Sequence, residues 1–275
     1  MDLPDADPRL TLGGSAHPPR APAAGIRFEG VRFTYPGTDR PVLDGLDLWL
    51  PAGSSLALVG ENGAGKSTVV KLLCRFYDPD DGRITVDGTD IRDFNLAEWR
   101  RRMAVVFQDF THLPLPVADN IGVGCVERID DRSLAEAAAA QARADDLVAG
   151  LPAGWDTVLA QEFGGVNLSG GEWQRVALAR SMTTRLGREA SVLVLDEPTA
   201  ALDVRLEHDL FERFARLTEG LTTLLVSHRF STVRMADRVA VLGAGRMIET
   251  GTHDELVAAG GHYAELYELQ ARRFA

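Results

Sequence analysis

Residues 60–67 read Gly60-Glu61-Asn62-Gly63-Ala64-Gly65-Lys66-Ser67, a glycine, four residues, then Gly-Lys-Ser. That spacing is the pattern of a phosphate-binding loop. Glycines at 60, 63 and 65 allow the backbone to curl so that its N–H groups face inward, next to a helix N-terminus whose dipole favours anions. Lys66 adds a full positive charge for terminal phosphates, and Ser67 offers a hydroxyl to a magnesium ion. A plain glycine turn before a helix is the competing explanation. The context favours the loop, because the apolar run Leu56 to Val59 predicts a strand before it and Lys66 to Phe76 predicts a helix after it.

Outward from the loop, the chemistry continues at residues 192–197, Val-Leu-Val-Leu-Asp-Glu. Here Asp196 and Glu197 stand at the carboxyl end of an apolar run, where open α/β sheets bind ligands. Two such acids could cap a helix or turn. Beside a phosphate loop they suit magnesium-nucleotide chemistry better, with Asp196 on the metal and Glu197 as candidate general base. Leu221 to Val226 is a second wholly apolar run, and a helix expected over 204–217 would join the two into a βαβ unit of a parallel sheet.

Composition narrows the class. The 275 residues carry a net charge of −11, which excludes a nucleic-acid partner that would need clustered cations. Lysine occurs only at Lys66 and Lys71, against 27 arginines, so its presence in the loop is informative. No apolar stretch approaches the roughly 18 residues of a membrane span. Cys74 and Cys125 form no CxxC pair, and a reducing, cytosolic setting is expected.

Along the chain, residues 1–25 hold five prolines and few large apolar side chains, and are expected to be a flexible linker. The remainder, 26–275, is expected to be one domain. Ile26, Phe28, Val31, Phe33 and Tyr35 outline a strand closed by a Pro36-Gly37 turn, and Gly45 to Leu50 a second. Residues 109–185 are expected to be a helical part, since the alanine-rich Leu134 to Val148 segment uses good helix formers and Glu172 to Ser181 continues in the same style. Thr252 and Glu255 have capping-box spacing ahead of an apolar face of Leu256, Tyr263, Leu266 and Leu269.

Residues 168–172 read Leu-Ser-Gly-Gly-Glu and resemble the LSGGQ signature of ATP-binding cassette (ABC) ATPases. Gln108 resembles that family's glutamine loop, Ala201-Leu202-Asp203 its D-loop, His228 its switch histidine, and Tyr35 the aromatic that stacks on adenine. Alone, Tyr35 suits an ordinary strand aromatic and His228 a satisfied buried group; their joint order from about Ile26 to Gln270 carries the resemblance.

The resemblance implies an α/β fold of the ABC ATPase kind: a RecA-like nucleotide-binding core, an antiparallel β subdomain and a helical subdomain bearing the signature. It implies ATP and Mg²⁺ as cofactors, bound by Tyr35, Gly60, Asn62, Gly63, Gly65, Lys66, Ser67, Thr68, Gln108 and Asp203, with Ser67, Gln108 and Asp196 on the metal. Glu197, His228 and Lys66 would carry catalysis. Two such domains would pair head to tail, so that Ser169, Gly170 and Gly171 reach the nucleotide of the partner copy.

The tail (Ser227 to Val239 and Gly251 to Gln270) resembles exporter motors, which follow six membrane helices on the same polypeptide. The proline-rich leader resembles the linker after those helices, so a motor at the cytoplasmic face of the membrane is expected, serving a multidrug, lipid or peptide exporter. A separate-chain importer ATPase and a soluble non-transport ABC ATPase are the alternatives. Two departures stand out. Glu172 replaces the signature glutamine, bringing an acid towards the triphosphate, and Gln161 to Asn167 differs from the usual exporter segment, which leaves Glu162 without a secure contact in the transmembrane half.

Overall fold

The structure is a computed structural model of the chain and describes residues 10–198 and 217–274. Among those residues two sheets form, and burial explains which is which. In β3 (Ser55–Val59), β7 (Val192–Asp196) and β8 (Thr222–Val226) every residue is buried, as strands covered on both faces must be. With β6 (Met103–Val106) and β9 (Arg238–Gly243) they build a parallel sheet, extended at one edge by antiparallel β10 (Arg246–Gly251), in the order β10-β9-β3-β8-β7-β6. A second, antiparallel sheet joins β1 (Gly25–Phe33), β2 (Leu43–Pro51), β4 (Asp81–Val86) and β5 (Thr89–Asp90) in the order β2-β1-β4-β5. Its strand β1 alternates buried and exposed positions more often than not, the mark of a sheet with one covered face.

The two faces of the parallel sheet feed two cores, because successive side chains point to opposite sides. Leu56, Leu58, Val192 and Val194 join the antiparallel sheet, α1 (Lys66–Leu73) and α2 (Leu96–Arg101) in one core. Ala57, Val59, Leu193 and Leu195 join the helical part and the C-terminal helices in the other. Between β6 and β7 every described regular element is helical: α3 (Val117–Gly122), α4 (Arg132–Ala142), α5 (Asp145–Ala149), α6 (Gly170–Arg188) and short 3₁₀ turns. Arg180 of α6 knits this region together, donating to the Asn120 and Thr111 carbonyls and to the Asn120 side chain.

Several expectations are corrected in detail. The helix-forming segment Leu134 to Val148 is divided between α4 and α5, because Arg143 adopts the left-handed conformation and caps α4. The helix expected to Phe76 ends at Leu73, and Tyr35 lies just beyond β1 rather than within it. The helix expected over 204–217 lies outside the described residues, save Leu217. The capping box at Thr252 and Glu255 forms as expected and opens α8 (His253–Ala259), followed by α9 (His262–Phe274).

The leader departs most. Residues 10–25, expected to belong to a flexible linker, lie along the domain. Arg75, fully buried, donates to the Thr11 carbonyl (2.6 Å), and Asp78 accepts from the Thr11 N–H (2.7 Å). Asp87 accepts from the N–H groups of Ala23, Ala24 and Gly25, and Ala16 bridges to Asp93 and Asn95 through its backbone. A composition poor in apolar residues does not reveal this, because the anchoring groups belong to other elements and grip the backbone.

Candidate functional site: a phosphate loop, two acids and a histidine at one sheet edge

Because β3, β8, β7 and β6 are parallel neighbours, their carboxyl ends share one edge of the sheet. In spatial order these ends deliver the loop 60–67, His228, the pair Asp196-Glu197, and Gln108. They open on a cavity of about 880 Å³, also lined by Tyr35, Thr68, Phe230, Leu266, Leu269 and Gln270. Ligands of open α/β sheets bind at this edge.

The loop geometry needs its glycines. Gly60 has φ 150° and a Cβ there would collide with the Leu242 carbonyl oxygen; Gly65, the N-cap of α1, has φ 108°. The Lys66 ammonium turns back on the loop, donating to the carbonyls of Gly60 (2.7 Å) and Glu61 (3.0 Å). Burial lowers its pKa, opposed by Glu197 and Asp196. Thr68 hydrogen-bonds the Tyr35 hydroxyl at 3.0 Å, and the Tyr35 ring stands edge-on to Phe33 and Tyr77 at the cavity wall. Gln108 is exposed at the cavity, following Phe107, whose ring stacks on Phe76 at 5.6 Å.

Asp196 and Glu197 are both buried. Burial first, and the neighbouring Glu197 second, push the Asp196 carboxyl up to about 6. Ser67 hydrogen-bonds this carboxyl, yet its Oδ1 is buried with no partner. A buried unpaired carboxylate oxygen beside a hydroxyl fits a hard cation. Among the described residues no group of three or more His, Cys, Asp or Glu could hold a metal. The Asp196 carboxylate and the Ser67 hydroxyl fit Mg²⁺, which takes one or two protein oxygens and completes its shell with phosphate and water.

Glu197 departs from the strand with φ 53°, its N–H donating to the Val226 carbonyl. Its Oε2 lies 2.7 Å from His228 Nδ1, and this hydrogen bond is the main cause that raises the His228 pKa.

Ser169, Gly170 and Gly171 do not line the cavity of their own chain. Ser169 caps α6, and Glu172 completes a capping box by accepting from the Ser169 N–H at 2.7 Å. The unusual acid is thus folded onto its own helix end. Glu162 sits in an exposed 3₁₀ turn, Gln161–Phe163. Asp203 lies outside the described residues.

Two glutamines escaped the sequence reading. Gln174 of α6, buried, donates to the Glu197 carbonyl (3.2 Å), and Gln270 of α9 holds the backbone around His228. A Gln270 signal exists in hindsight: Tyr263, Tyr267 and Gln270 recur at helical spacing on one face.

Fold and site define a phosphate-loop α/β ATPase class. A profile for the ABC transporter family matches residues 43–200. The chain is 44% identical over 245 residues to the ATP-dependent lipid A-core flippase of Chromohalobacter salexigens, covering 89% of this chain and 41% of that protein. It is 45% identical over 254 residues to ABC transporter B family member 28 of Arabidopsis thaliana, covering 92% and 35%. A bacterial Atm1-family ABC exporter with ATP bound superposes with a TM-score of 0.82 at 38% identity, over 94% of this chain and 44% of that one. The chain belongs to the ABC transporter family, as an ATPase domain of it. It spans about two fifths of the length of the lipid A-core flippases it matches.

Proposed function

We propose that the chain is the ATP-hydrolysing motor of an ABC exporter, acting as a head-to-tail pair at the cytoplasmic face of a membrane and coupled to transmembrane helices, on the same native polypeptide, that carry a lipid, drug or peptide. The observation that supports this most is the delivery of the loop, His228 and the two acids to one cavity by three adjacent parallel strands.

In this reading the inward amides of Gly60, Asn62, Gly63 and Gly65 hold the phosphates, Thr68 completes the cradle, and Tyr35 packs on adenine. Lys66 exchanges the Gly60 and Glu61 carbonyls for terminal phosphate oxygens. Ser67, Asp196 and Gln108 would hold Mg²⁺, whose charge neutralises the phosphate oxygens. Glu197 takes a proton from the attacking water, while His228 fixes the Glu197 carboxylate and shares its charge. Ser169, Gly170 and Gly171, placed away from their own cavity, reach the nucleotide of the second copy, and Asp203 contributes at that interface. The carboxylate of Glu172, spent on its own helix cap, stays off the triphosphate.

The test is magnesium-dependent phosphate release by the purified chain, with the oligomeric state of Glu197→Gln followed by light scattering in ATP. Release that vanishes in Glu197→Gln while a dimer accumulates supports the reading; absence of release and of dimer overturns it.

A further inference from the structure

Arg229 and Phe230 begin α7 (Phe230–Val233), a single helical turn directly after His228. The first N–H groups of a helix lack internal partners, and the N-cap Arg229 offers no side-chain cap. The missing cap comes from 40 residues further on. Gln270 Oε1 accepts from the Phe230 N–H at 2.8 Å, and Gln270 Nε2 donates to the His228 carbonyl at 2.8 Å. One side-chain amide therefore grips the backbone on both sides of Arg229.

The helix that carries Gln270 is itself seated on the same segment. Phe230 lies edge-on to Tyr263 (5.1 Å) and Tyr267 (5.4 Å), and the Tyr263 hydroxyl bonds His253 of α8 at 2.7 Å. Tyr263, Tyr267 and Gln270 share one helical face. The imidazole they steady is partly exposed and approaches Glu197 at 2.7 Å. A side chain so placed depends on its backbone for its aim.

We infer that Gln270 is a positioning residue for ATP hydrolysis: the C-terminal helix, through this amide, fixes the His228 backbone so that the imidazole stays on Glu197. The inference rests on the ATPase reading above. It gives α9 a part in turnover beyond filling the core, with Gln270 acting through the His228 backbone.

The experiment measures kcat and KM for MgATP, together with Tm, for the full chain and for Gln270→Ala, Gln270→Glu, His228→Ala and the Gln270→Ala/His228→Ala double variant. Glu265→Ala, on the exposed side of α9, serves as control. Gln270→Ala should lower kcat by roughly tenfold, the scale set by losing one restraining hydrogen-bond pair, with KM within about twofold. Gln270→Glu keeps the acceptor for Phe230 but loses the donor to the His228 carbonyl, so its kcat should fall as in the alanine variant while Tm stays near that of the unsubstituted chain. The double variant should be no slower than His228→Ala alone, since the two residues act in series.

Unchanged kcat in Gln270→Ala, a loss confined to KM, full recovery in Gln270→Glu, or losses that multiply in the double variant would each overturn the inference. An unsubstituted chain without hydrolysis would overturn the ATPase reading itself, whereas an active chain indifferent to Gln270 would overturn only this step.

Discussion

His228 Nδ1 stands 2.7 Å from Glu197 Oε2, and the Glu197 backbone is held on both sides, its N–H by the Val226 carbonyl of β8 and its carbonyl by Gln174 of α6. The carboxylate is thus aimed by the sheet, the signature-bearing helix and the histidine together. Replacing it with an amide keeps the size and removes the base. Glu197→Gln should bind ATP as tightly as the unsubstituted chain and release phosphate about 10²–10⁴-fold more slowly, the range typical for a lost general base. Fluorescent-nucleotide titration and a phosphate-release assay check the two halves.

The histidine pairing has a pH signature. The Glu197 hydrogen bond raises the His228 pKa above its ordinary 6.5. For a base raised in the folded state, the stabilisation is complete below pH 6.5 and fades as pH rises through the higher native value. His228→Ala should therefore lower Tm more at pH 6 than at pH 9, in scans without nucleotide. An equal loss at both values would mean the pairing is not ionic.

Asp196 behaves in the opposite sense. Burial raises it from 3.8 to about 6, so the folded state penalises the ionised form above about pH 6 and the penalty vanishes below 3.8. In the absence of metal, Asp196→Asn should raise Tm at pH 8 and leave it unchanged near pH 3.5, if the fold survives there. Magnesium needs the ionised carboxylate, so magnesium-enhanced ATP binding should weaken as pH drops from 7.5 to 5. Calorimetric titration at the two pH values checks this.

The anchored leader makes a stability prediction. Arg75 is fully buried, pairs with Asp78 and reaches the carbonyls of Ile91, Phe94 and Thr11. Arg75→Ala would strand the Asp78 charge, and removing one partner of a buried pair costs about 3–5 kcal/mol. Urea denaturation should register that loss, and hydrogen exchange should show the Thr11 amide newly unprotected.

What the sequence made legible was local. The loop 60–67, the acids after Leu195 and the Thr252 capping box each reside in a few adjacent residues, and each forms as their spacing requires. Cavity-lining positions were legible as well: Gln108 and His228 reach the loop because parallel strand ends bring them there, and Tyr35 reaches the same cavity from the end of β1 in the antiparallel sheet. What stayed hidden depends on partners distant in sequence. The Thr11 grip comes from Arg75 and Asp78, 64 and 67 residues away, and the His228 grip from Gln270, 42 residues away. Strand β6 is too short for periodicity to declare it, and the break at Arg143 sits inside an alanine-rich run that favours helix throughout.

The most direct test of the account is MgATP binding and cleavage by three forms of the chain: unsubstituted, Lys66→Ala and Glu197→Gln. The account predicts binding with cleavage, no productive binding, and binding without cleavage, in that order. Equal cleavage by all three, or no ATP binding by the unsubstituted chain with magnesium present, would contradict it.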